Sequence, residues 1–534
     1  MPASGDGHRS KCALSRPIST LVVKERVLRL QELLQALPEA DVKGPTEGEI
    51  THLAYDSRKV KSQGMFVAIS GHREDGHRYI GAALEKGATA IVVEREDVPC
   101  PDGVTRIRVL NSRDALSRLS ACFFGRPASR LKMVGITGTG GKTTTAYLIE
   151  SVLRRAGIAC GVLGSVSYRY GDHTFPAPVT TPESLDLQEL LAGMVREKVT
   201  HVVMEVSSHA LDQGRIGTLS FDQAVFTNLS QDHLDYHREM EHYFQAKARL
   251  FRHYLKREGG TAVINGDDPY GQRLLQELEA PKKRFGLKEG GDYFPLETAA
   301  DLSGLKARIH TPKGVYDLRS PLIGRFNFYN LLAAWAVADG FEVESRLIQE
   351  GLQSLARVPG RMEPIPNALG LTVIVDYSHK PEALRFALEA LREYGKGKIV
   401  TVFGCGGDRD RKKRPLMGKI SGTLSDLTVI TSDNPRSEDP LAIIRSIEEG
   451  LKEEGISFIP PEAMEALPPF SAYTVVPDRR EAIALAVRLA RPGDRVLIAG
   501  KGHENYQIIG DKILPFDDRE EARKVLEARR VQHR

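Results

Sequence analysis

The chain has 534 residues, with 74 Lys and Arg against 70 Asp and Glu for a formal charge of +4. At roughly 150 residues per domain this is chain for about three cores, and so even a charge balance gives no ground for a nucleic-acid partner. Cys12, Cys100, Cys122, Cys160 and Cys405 are scattered with no C-x-x-C pair, which argues against a disulfide framework or a zinc site and for reduced thiols in a cytoplasmic protein. No apolar run approaches the roughly 18 to 20 residues of a membrane span, the longest being stretches such as "LLAAWAVA".

Residues 1–22 are polar, carry Asp6 and lack the apolar segment of a signal peptide, so they are read as a disordered extension. From Val23 to Leu37 apolar residues recur at helical spacing. "DVKGPTEGEITHLAYDSRKVKSQGMFVAI" then predicts short strands broken by glycine, and "YIGAALEKGATAIVVE" a helix, a Gly87 cap and a strand. This first α/β domain is placed at 23–128.

From Leu131 the pattern becomes buried strand, glycine loop and helix. Further strands are predicted at "THVVMEVSS", "DQAVFTNL" and "GGTAVINGDD", with the helix "NFYNLLAAWAVADGF" closing a domain at 129–357. Short apolar runs separated by helices predict a mainly parallel sheet covered on both faces. Pro359 and Gly360 mark a linker, and residues 358–534 hold four more buried strands, "LTVIVDYS", "GKIVTVFG", "DLTVITSDN" and "DRVLIAG". That is a second doubly wound sheet, with a site expected at the carboxyl ends of its strands. Hinges are expected near 126–130 and 357–361.

The stretch "VGITGTGGKTTT" ends a strand in a phosphate loop, although Ile136 stands where the usual G-x-x-x-x-G-K-[ST] pattern has its first glycine. Backbone N–H groups of Gly138, Thr139, Gly140 and Gly141 are expected to surround a phosphate, with the positive end of the next helix behind them. Lys142 supplies a charge for the outer phosphates, and Thr143 or Thr144 a hydroxyl for magnesium. Such a loop also suits a GTP switch protein or a motor ATPase, but no N-K-x-D guanine reader follows. Glu205 and His233 each follow a strand, where they would face a magnesium ion beside the phosphates. His233 and His237 are four apart like a zinc helix, yet Leu234 replaces the glutamate of H-E-x-x-H.

Together, "GTGGKTT", "TTPES", "MEVSSHALDQGR", "TNLSQDHLDYH", "YFQAKARLF", "GRFNFYNLLAA", "GRME", "DYSHKPEAL", "FGCGGDRDRKKRP", "SDNPRSEDP" and "AGKGHE" resemble the Mur ligase family of peptidoglycan precursor synthesis. The resemblance implies an α/β fold of three domains: a uridine-nucleotide domain, a central P-loop ATPase-type parallel sheet with helices on both faces, and a C-terminal Rossmann-like doubly wound sheet for the amino acid. Within the family, "YDSRKVKSQGMFVAISGHREDGHRYI" is similar to the member that adds a diamino acid to UDP-N-acetylmuramoyl-L-alanyl-D-glutamate.

Carried over motif by motif, the resemblance implies that Tyr55, Ser57 and the His72, Arg73, Glu74 turn hold the uridine end of that substrate. Thr180, Thr181, Ser207, Gln213 and Arg215 would hold its muramoyl dipeptide. Asn327, Asn330, Arg361 and Asp376 would complete the ATP site around Gly138 to Thr144. Lys247 matches a lysine that carries a CO2-derived carbamate, making it a magnesium ligand beside Thr143, Glu205 and His233. A monomer is expected, with small-molecule substrates and neither nucleic acid nor membrane as partner.

An arginine fork matches a carboxylate and repels an ammonium. The resemblance places Arg436, in "DNPR", where the family reads the distal head group of the added amino acid, which favours meso-diaminopimelate over L-lysine. Arg409, Asp433, Asn434, Pro435, Gly500 and Glu504 would share that subsite. Ser378 and Lys380 depart from the alanine and threonine usual in relatives, and the basic run "RDRKKRP" leaves Arg409 and Arg411 as alternatives for the substrate. The rival readings are the lysine-adding ligase, a folylpolyglutamate synthetase-like ligase and a nucleotide-controlled binding protein.

Overall fold

The structure is a computed structural model that describes residues 26–71 and 74–532. The expected extension 1–22 and the candidates His72 and Arg73 lie outside the described residues. The chain packs as two compact units: the first comprises Met1–Leu131, Cys160–Val202 and Gly214–Leu219, the second Lys132–Ala159, Val203–Gln213 and Ser220–Arg534.

In the first unit a five-stranded sheet runs in the order Asp41–Lys43, Thr105–Arg108, Ala88–Val93, Gly64–Val67 and His52–Ala54. All neighbours are parallel except the Asp41–Lys43 edge. Its central strands "ATAIVV" and "GMFV" are buried almost throughout, as strands covered on both faces must be. The predicted Gly87 cap is present: Gly87 has φ +92° and donates its N–H to the Leu84 carbonyl at 2.9 Å.

The helix expected over 23–37 is much shorter. Leu28–Arg29 form a strand paired with Glu49–Ile50, and among the described residues of that stretch only Leu30–Leu34 are α-helical. Pairing Leu28 with Ile50 outcompetes a local periodicity that says nothing about long-range partners.

The second unit opens on the strand Lys132–Thr137, which lies parallel to Gln223–Phe226, itself followed by Thr261–Asn265 and Lys282–Phe285, all parallel. The strand His201–Glu205 also forms as predicted. Helix Asn327–Gly340 is buried nearly all round, Trp335 included, so "LLAAWAVA" is core rather than membrane span. No helix among the described residues is long and apolar enough to cross a membrane.

Unforeseen was an antiparallel sheet of Phe294–Asp301, Gly304–Thr311 and Gly314–Ser320. Its middle strand "GLKARIHT" alternates buried and exposed positions, a period-2 signal the sequence does carry.

The C-terminal sheet has seven strands, and all four predicted strands lie in it. The order is Glu363–Ile365, Thr372–Asp376, Arg495–Ala499, Ile399–Phe403, Leu427–Ile430, Ala472–Val475 and Ser457–Phe458. Only the first is antiparallel. One core forms under helices Arg479–Leu489 and Asp518–Gln532 through Ala482, Ile483, Ala522 and Leu526. The other forms under Pro381–Glu393, Lys413–Leu424 and Pro440–Glu453 through Leu384, Met417 and Ile443. Helices on both faces leave only the strand ends open to a ligand.

Candidate active site

Strand Lys132–Thr137 delivers the glycine loop to the N-terminus of helix Lys142–Arg155. Gly138 has φ +146°, and a Cβ there would lie 1.9 Å from Thr227 Oγ1, so no side chain fits. At Gly140 the nearest atoms to a Cβ belong to the Asn228 amide, 3.7 Å away, which leaves open space beside the backbone. The Gly140 N–H donates to Asn228 Oδ1 at 2.8 Å, and the Thr139 N–H to the Asn228 carbonyl at 2.9 Å. Asn228 and Thr227 were not singled out in the sequence, where they fell inside the predicted strand "DQAVFTNL"; the strand ends at Phe226, so both open the loop that follows it.

Two lysines meet at this loop. Lys142 Nζ donates to the carbonyl of Gly138 at 2.8 Å, and Lys247 Nζ, from helix Met240–His253, donates to the same carbonyl at 2.9 Å. Lys247 is 1% exposed, and its ammonium lies 4.6 Å from the Tyr243 ring centroid. Burial, then the charges of Lys142 and Lys380, hold Lys247 well below the usual lysine range. Lys142 is pushed down to about 8 by burial and by Lys380, against the pull of Glu205 and Asp232.

Thr143 Oγ1 donates to Glu205 Oε2 at 3.1 Å and accepts from Arg361 Nη2 at 3.2 Å. Of the two candidate hydroxyls it is thus Thr143 that meets the acidic strand end. Thr144 is buried beside it. Asn330 Oδ1 accepts from Thr145 at 3.2 Å while its amide donates to Asn327, and Asn327 donates to the Ile323 carbonyl. Both asparagines therefore brace the helix behind the loop.

Arg361 lies over the Tyr377 ring at 4.5 Å. Asp376, at the end of its strand, accepts from the Met362 N–H at 2.6 Å and from Ser378. Burial raises the Asp376 carboxyl above its ordinary value, against these donors and Arg361. Ser378 is thus a partner of Asp376.

The segment 357–361, where a hinge is expected, packs closely at Gly360. A Cβ on Gly360 would fall 2.1 Å from the His503 nitrogen, and its N–H donates to Glu363 Oε2 at 2.8 Å.

His233 has φ +54° and pairs with Asp232 at 3.0 Å. Asp232 also forms an ion pair with Lys380. Burial opposes ionisation of Asp232, but Lys380 and His233 outweigh it and hold the carboxyl far below its ordinary range. Lys380 therefore neither faces solvent nor hangs free at the nucleotide: it brings a further cation to the phosphate loop.

His237 Nε2 is 2.9 Å from Ser208 Oγ, and no group of three or more metal-ligating His, Cys, Asp or Glu occurs among the described residues. His237 packs with His209 and Tyr243, and Gln213 donates to Tyr236, whose hydroxyl donates to Asp212. Ser207 caps helix Ser208–Asp212.

A second cluster lies at the carboxyl ends of the C-terminal sheet. Asn434 donates to Glu504 Oε2 at 2.8 Å and accepts from Lys501 Nζ at 3.1 Å. Burial, then the nearby Asp433, raises the Glu504 carboxyl, against Lys501 and Asn434. Arg436 has φ +53°, fixed by its N–H on the Ile508 carbonyl and by its own carbonyl accepting from Gly510. Its Nη1 donates to the Gly407 carbonyl at 2.8 Å.

Pro435 is buried behind Gly407, whose Cβ would strike its carbonyl, and a Cβ on Gly500 would fall 2.7 Å from Asp433 Oδ2. Arg409 and Arg411 are both exposed: Arg409 donates to the Asp408 carbonyl at 2.9 Å, and Arg411 pairs with Glu438 at 3.3 Å.

In the first unit, Tyr55 donates to Asp186 Oδ2 at 2.5 Å, and burial and that carboxylate push its phenol up. Ser57 opens a short 3-10 helix, Glu74 accepts from Tyr79, Thr180 bonds Ser165, and Arg215 donates to the Thr181 carbonyl. The expected dipeptide set is thus divided: Thr180, Thr181 and Arg215 belong to the first unit, Ser207 and Gln213 to the second.

A phosphate loop with its lysine, a hydroxyl on an acidic strand end and a separate polar cluster on a doubly wound sheet define a nucleotide-dependent α/β enzyme. Family descriptions narrow the class: "Mur ligase family, catalytic domain" matches residues 49–124, "Mur ligase middle domain" 136–338, and "Mur ligase, glutamate ligase domain" 360–502.

UDP-N-acetylmuramoyl-L-alanyl-D-glutamate--2,6-diaminopimelate ligase of Geobacter metallireducens is 48% identical over 92% of this chain and 97% of its own length. The enzyme of that name from Geobacillus thermodenitrificans is 44% identical over 94% of this chain and all of its own. A solved structure under that name matches with TM-score 0.64 at 31% identity, covering 93% of this chain and 99% of the other. Folylpolyglutamate synthase of Mycobacterium tuberculosis complexed with ADP and AMPPCP shares the fold, at TM-score 0.59 and 18% identity over 77% of this chain and 95% of its own. The chain belongs to the Mur ligase family.

If the loop N–H groups clasp phosphate, Gly140→Ala, which meets little protein, keeps the melting temperature but weakens ATP binding by about tenfold or more, as calorimetric titration reads. Unchanged affinity would exclude close backbone approach there.

His237 gives a pH prediction. Burial, helped by His233 and Lys247 and opposed by Asp212, lowers it to about 4 from an ordinary value of 6.5. Between those pH values the unfolded chain binds a proton that the folded chain refuses. Stability should therefore fall as pH drops from 6.5 to 4. His237→Gln should flatten that slope in denaturant titrations.

Proposed function

We propose that the chain is an ATP-dependent ligase that adds meso-2,6-diaminopimelate to UDP-N-acetylmuramoyl-L-alanyl-D-glutamate, in the cytoplasm, as a step of peptidoglycan precursor synthesis. The observation that carries this reading is that relatives bearing that name are 41–48% identical over 92–94% of the chain. The domains are taken as 23–128 for the uridine nucleotide, 129–357 for ATP and 358–534 for the amino acid, in a monomer.

Joining a carboxylate to an amine in water is uphill, so the glutamyl side-chain carboxylate is first phosphorylated by ATP. Lys142 and the loop N–H groups neutralise charge on the transferring phosphoryl group. The incoming amine then attacks the acyl phosphate carbon, and phosphate leaves from the tetrahedral intermediate. No enzyme nucleophile is needed.

The Thr143 hydroxyl and the Glu205 carboxylate, 3.1 Å apart, fit the few protein ligands that magnesium takes beside phosphate oxygens. With His233 they would hold the ion, which when bound supplies Lewis-acid charge neutralisation.

Lys247 suits carbamylation for a physical reason. Its surroundings favour the neutral amine, which is the form that adds CO2 and releases a proton, and the Lys142 and Lys380 charges that disfavour an ammonium there favour an anion. Lys142 remains to satisfy the Gly138 carbonyl.

In the C-terminal cluster Arg436 and Arg409 would face the distal carboxylate of diaminopimelate, and Glu504 and Asp433 its ammonium groups. Lysine, ending in an ammonium, would leave Arg436 repelled and its fork unpaired.

Phosphate release from ATP, measured with the UDP-dipeptide plus either diaminopimelate or L-lysine, tests the reading: release with diaminopimelate alone is expected. Release with lysine alone would keep the ligase and remove this role from Arg436, and release needing no amino acid would favour a nucleotide-controlled binding protein. Lys247→Ala should lower kcat by on the order of 100-fold or more and erase the carbamate carbon signal seen after supplying labelled bicarbonate.

A further inference from the structure

The guanidinium of Arg479 lies behind the proposed amino-acid subsite and fully out of solvent, paired with Asp518, which is equally buried. Arg479 Nε donates to Asp518 Oδ1 at 2.7 Å and Nη2 to Oδ2 at 2.8 Å, a bidentate fork. The same Nη2 donates to the Ala499 carbonyl at 2.9 Å. Nη1 reaches the Ser432 carbonyl at 3.5 Å and stands 3.9 Å from the Asp433 carboxylate.

Those contacts fall on two strand ends. Ala499 ends the strand Arg495–Ala499 and is followed directly by Gly500, Lys501 and Glu504. Ser432 follows the strand Leu427–Ile430 and precedes Asp433, Asn434 and Arg436. One side chain therefore ties together the roots of both loops that carry the subsite. The loops also meet at their tips, where Asn434 bonds Glu504 and Lys501, and Gln507 donates to the Asp433 carbonyl at 2.8 Å.

A buried ion pair is a costly way to hold a core together, since apolar residues of similar volume do as well or better. What it supplies instead is direction: a planar fork fixed by one carboxylate presents its remaining N–H groups at set angles. Asp433 and Glu504 also bring two carboxylates close together, and both act on Arg479 as attracting charges.

We propose that Arg479, oriented by Asp518, is a positioning residue of the amino-acid subsite: it sets the distance between the Asp433 and Glu504 loops and serves as their buried counter-charge. It touches no substrate. The subsite then meets the ammonium groups of a diamino acid with carboxylates already in place, without ordering two loops at the moment of binding. This inference rests on the ligase reading.

The test is steady-state kinetics of the full-length Asp518→Asn and Arg479→Lys variants, with each of the three substrates varied in turn. Asn keeps the shape of Asp518 but loses the charge and one acceptor, so the fork turns. The expected result is a rise of tenfold or more in KM for diaminopimelate, with KM for ATP and for the UDP-dipeptide within twofold of the parent and a cooperative melt retained. Arg479→Lys, which keeps the charge but not the fork, should show the same selective rise.

Equal changes in all three KM values, or unchanged diaminopimelate KM with only a lower melting temperature, would make the pair a core contact and overturn the proposal. So would loss of the folded state in Asp518→Asn. Failure of the ligase reading is seen separately, as a parent protein that releases no phosphate in response to diaminopimelate.

Discussion

The carbonyl oxygen of Gly138 accepts from two lysines, Lys247 fully buried and Lys142 half-buried, and the electrostatics of the glycine loop depend on that convergence. Lys142 arrives from the loop's own helix and Lys247 from a helix about a hundred residues later. Lys380 and Arg361 add two further cations, against which stand Glu205 and Asp232. The loop is therefore short of anions. Each lysine lowers the proton affinity of the next, and a polyphosphate relieves all of them at once.

The same imbalance explains the division of labour among residues that look interchangeable in a sequence. Lys142 stays on the glycine loop itself, its Nζ on the Gly138 carbonyl, and is pushed down only to about 8. Lys247, deeper and flanked by other cations, is held well below the usual lysine range. Asp232 is kept ionised by Lys380 and His233 and so tethers the helix Pro381–Glu393 to the loop that follows strand Gln223–Phe226. Arg361 adds a parallel tie through Thr143.

The C-terminal cluster solves a different problem. It gathers Asp433 and Glu504 near Arg436, so both signs of charge are present. Buried cations, Lys501 at the tips and Arg479 at the roots, offset the repulsion between the two carboxylates. Strain at Arg436, whose backbone is left-handed, is tolerated because two backbone hydrogen bonds fix it.

Much of this was legible in the sequence. The glycine loop, the strands that deliver Glu205 and His233 and the four C-terminal strands are local patterns: a phosphate loop needs particular glycines, and a strand buried on both faces needs a continuous apolar run. The helix expected over 23–37 failed because Leu28 finds a partner at Ile50 that no local window contains.

Tertiary structure alone decided which of Thr143 and Thr144 meets Glu205, that Lys380 pairs with Asp232, and that Arg479 and Asp518 meet behind the C-terminal strand ends. Those are contacts between residues tens to hundreds of positions apart. Their partners are set by how sheets and helices pack, and the burial that shifts a lysine or a carboxylate exists only once the chain has closed around it.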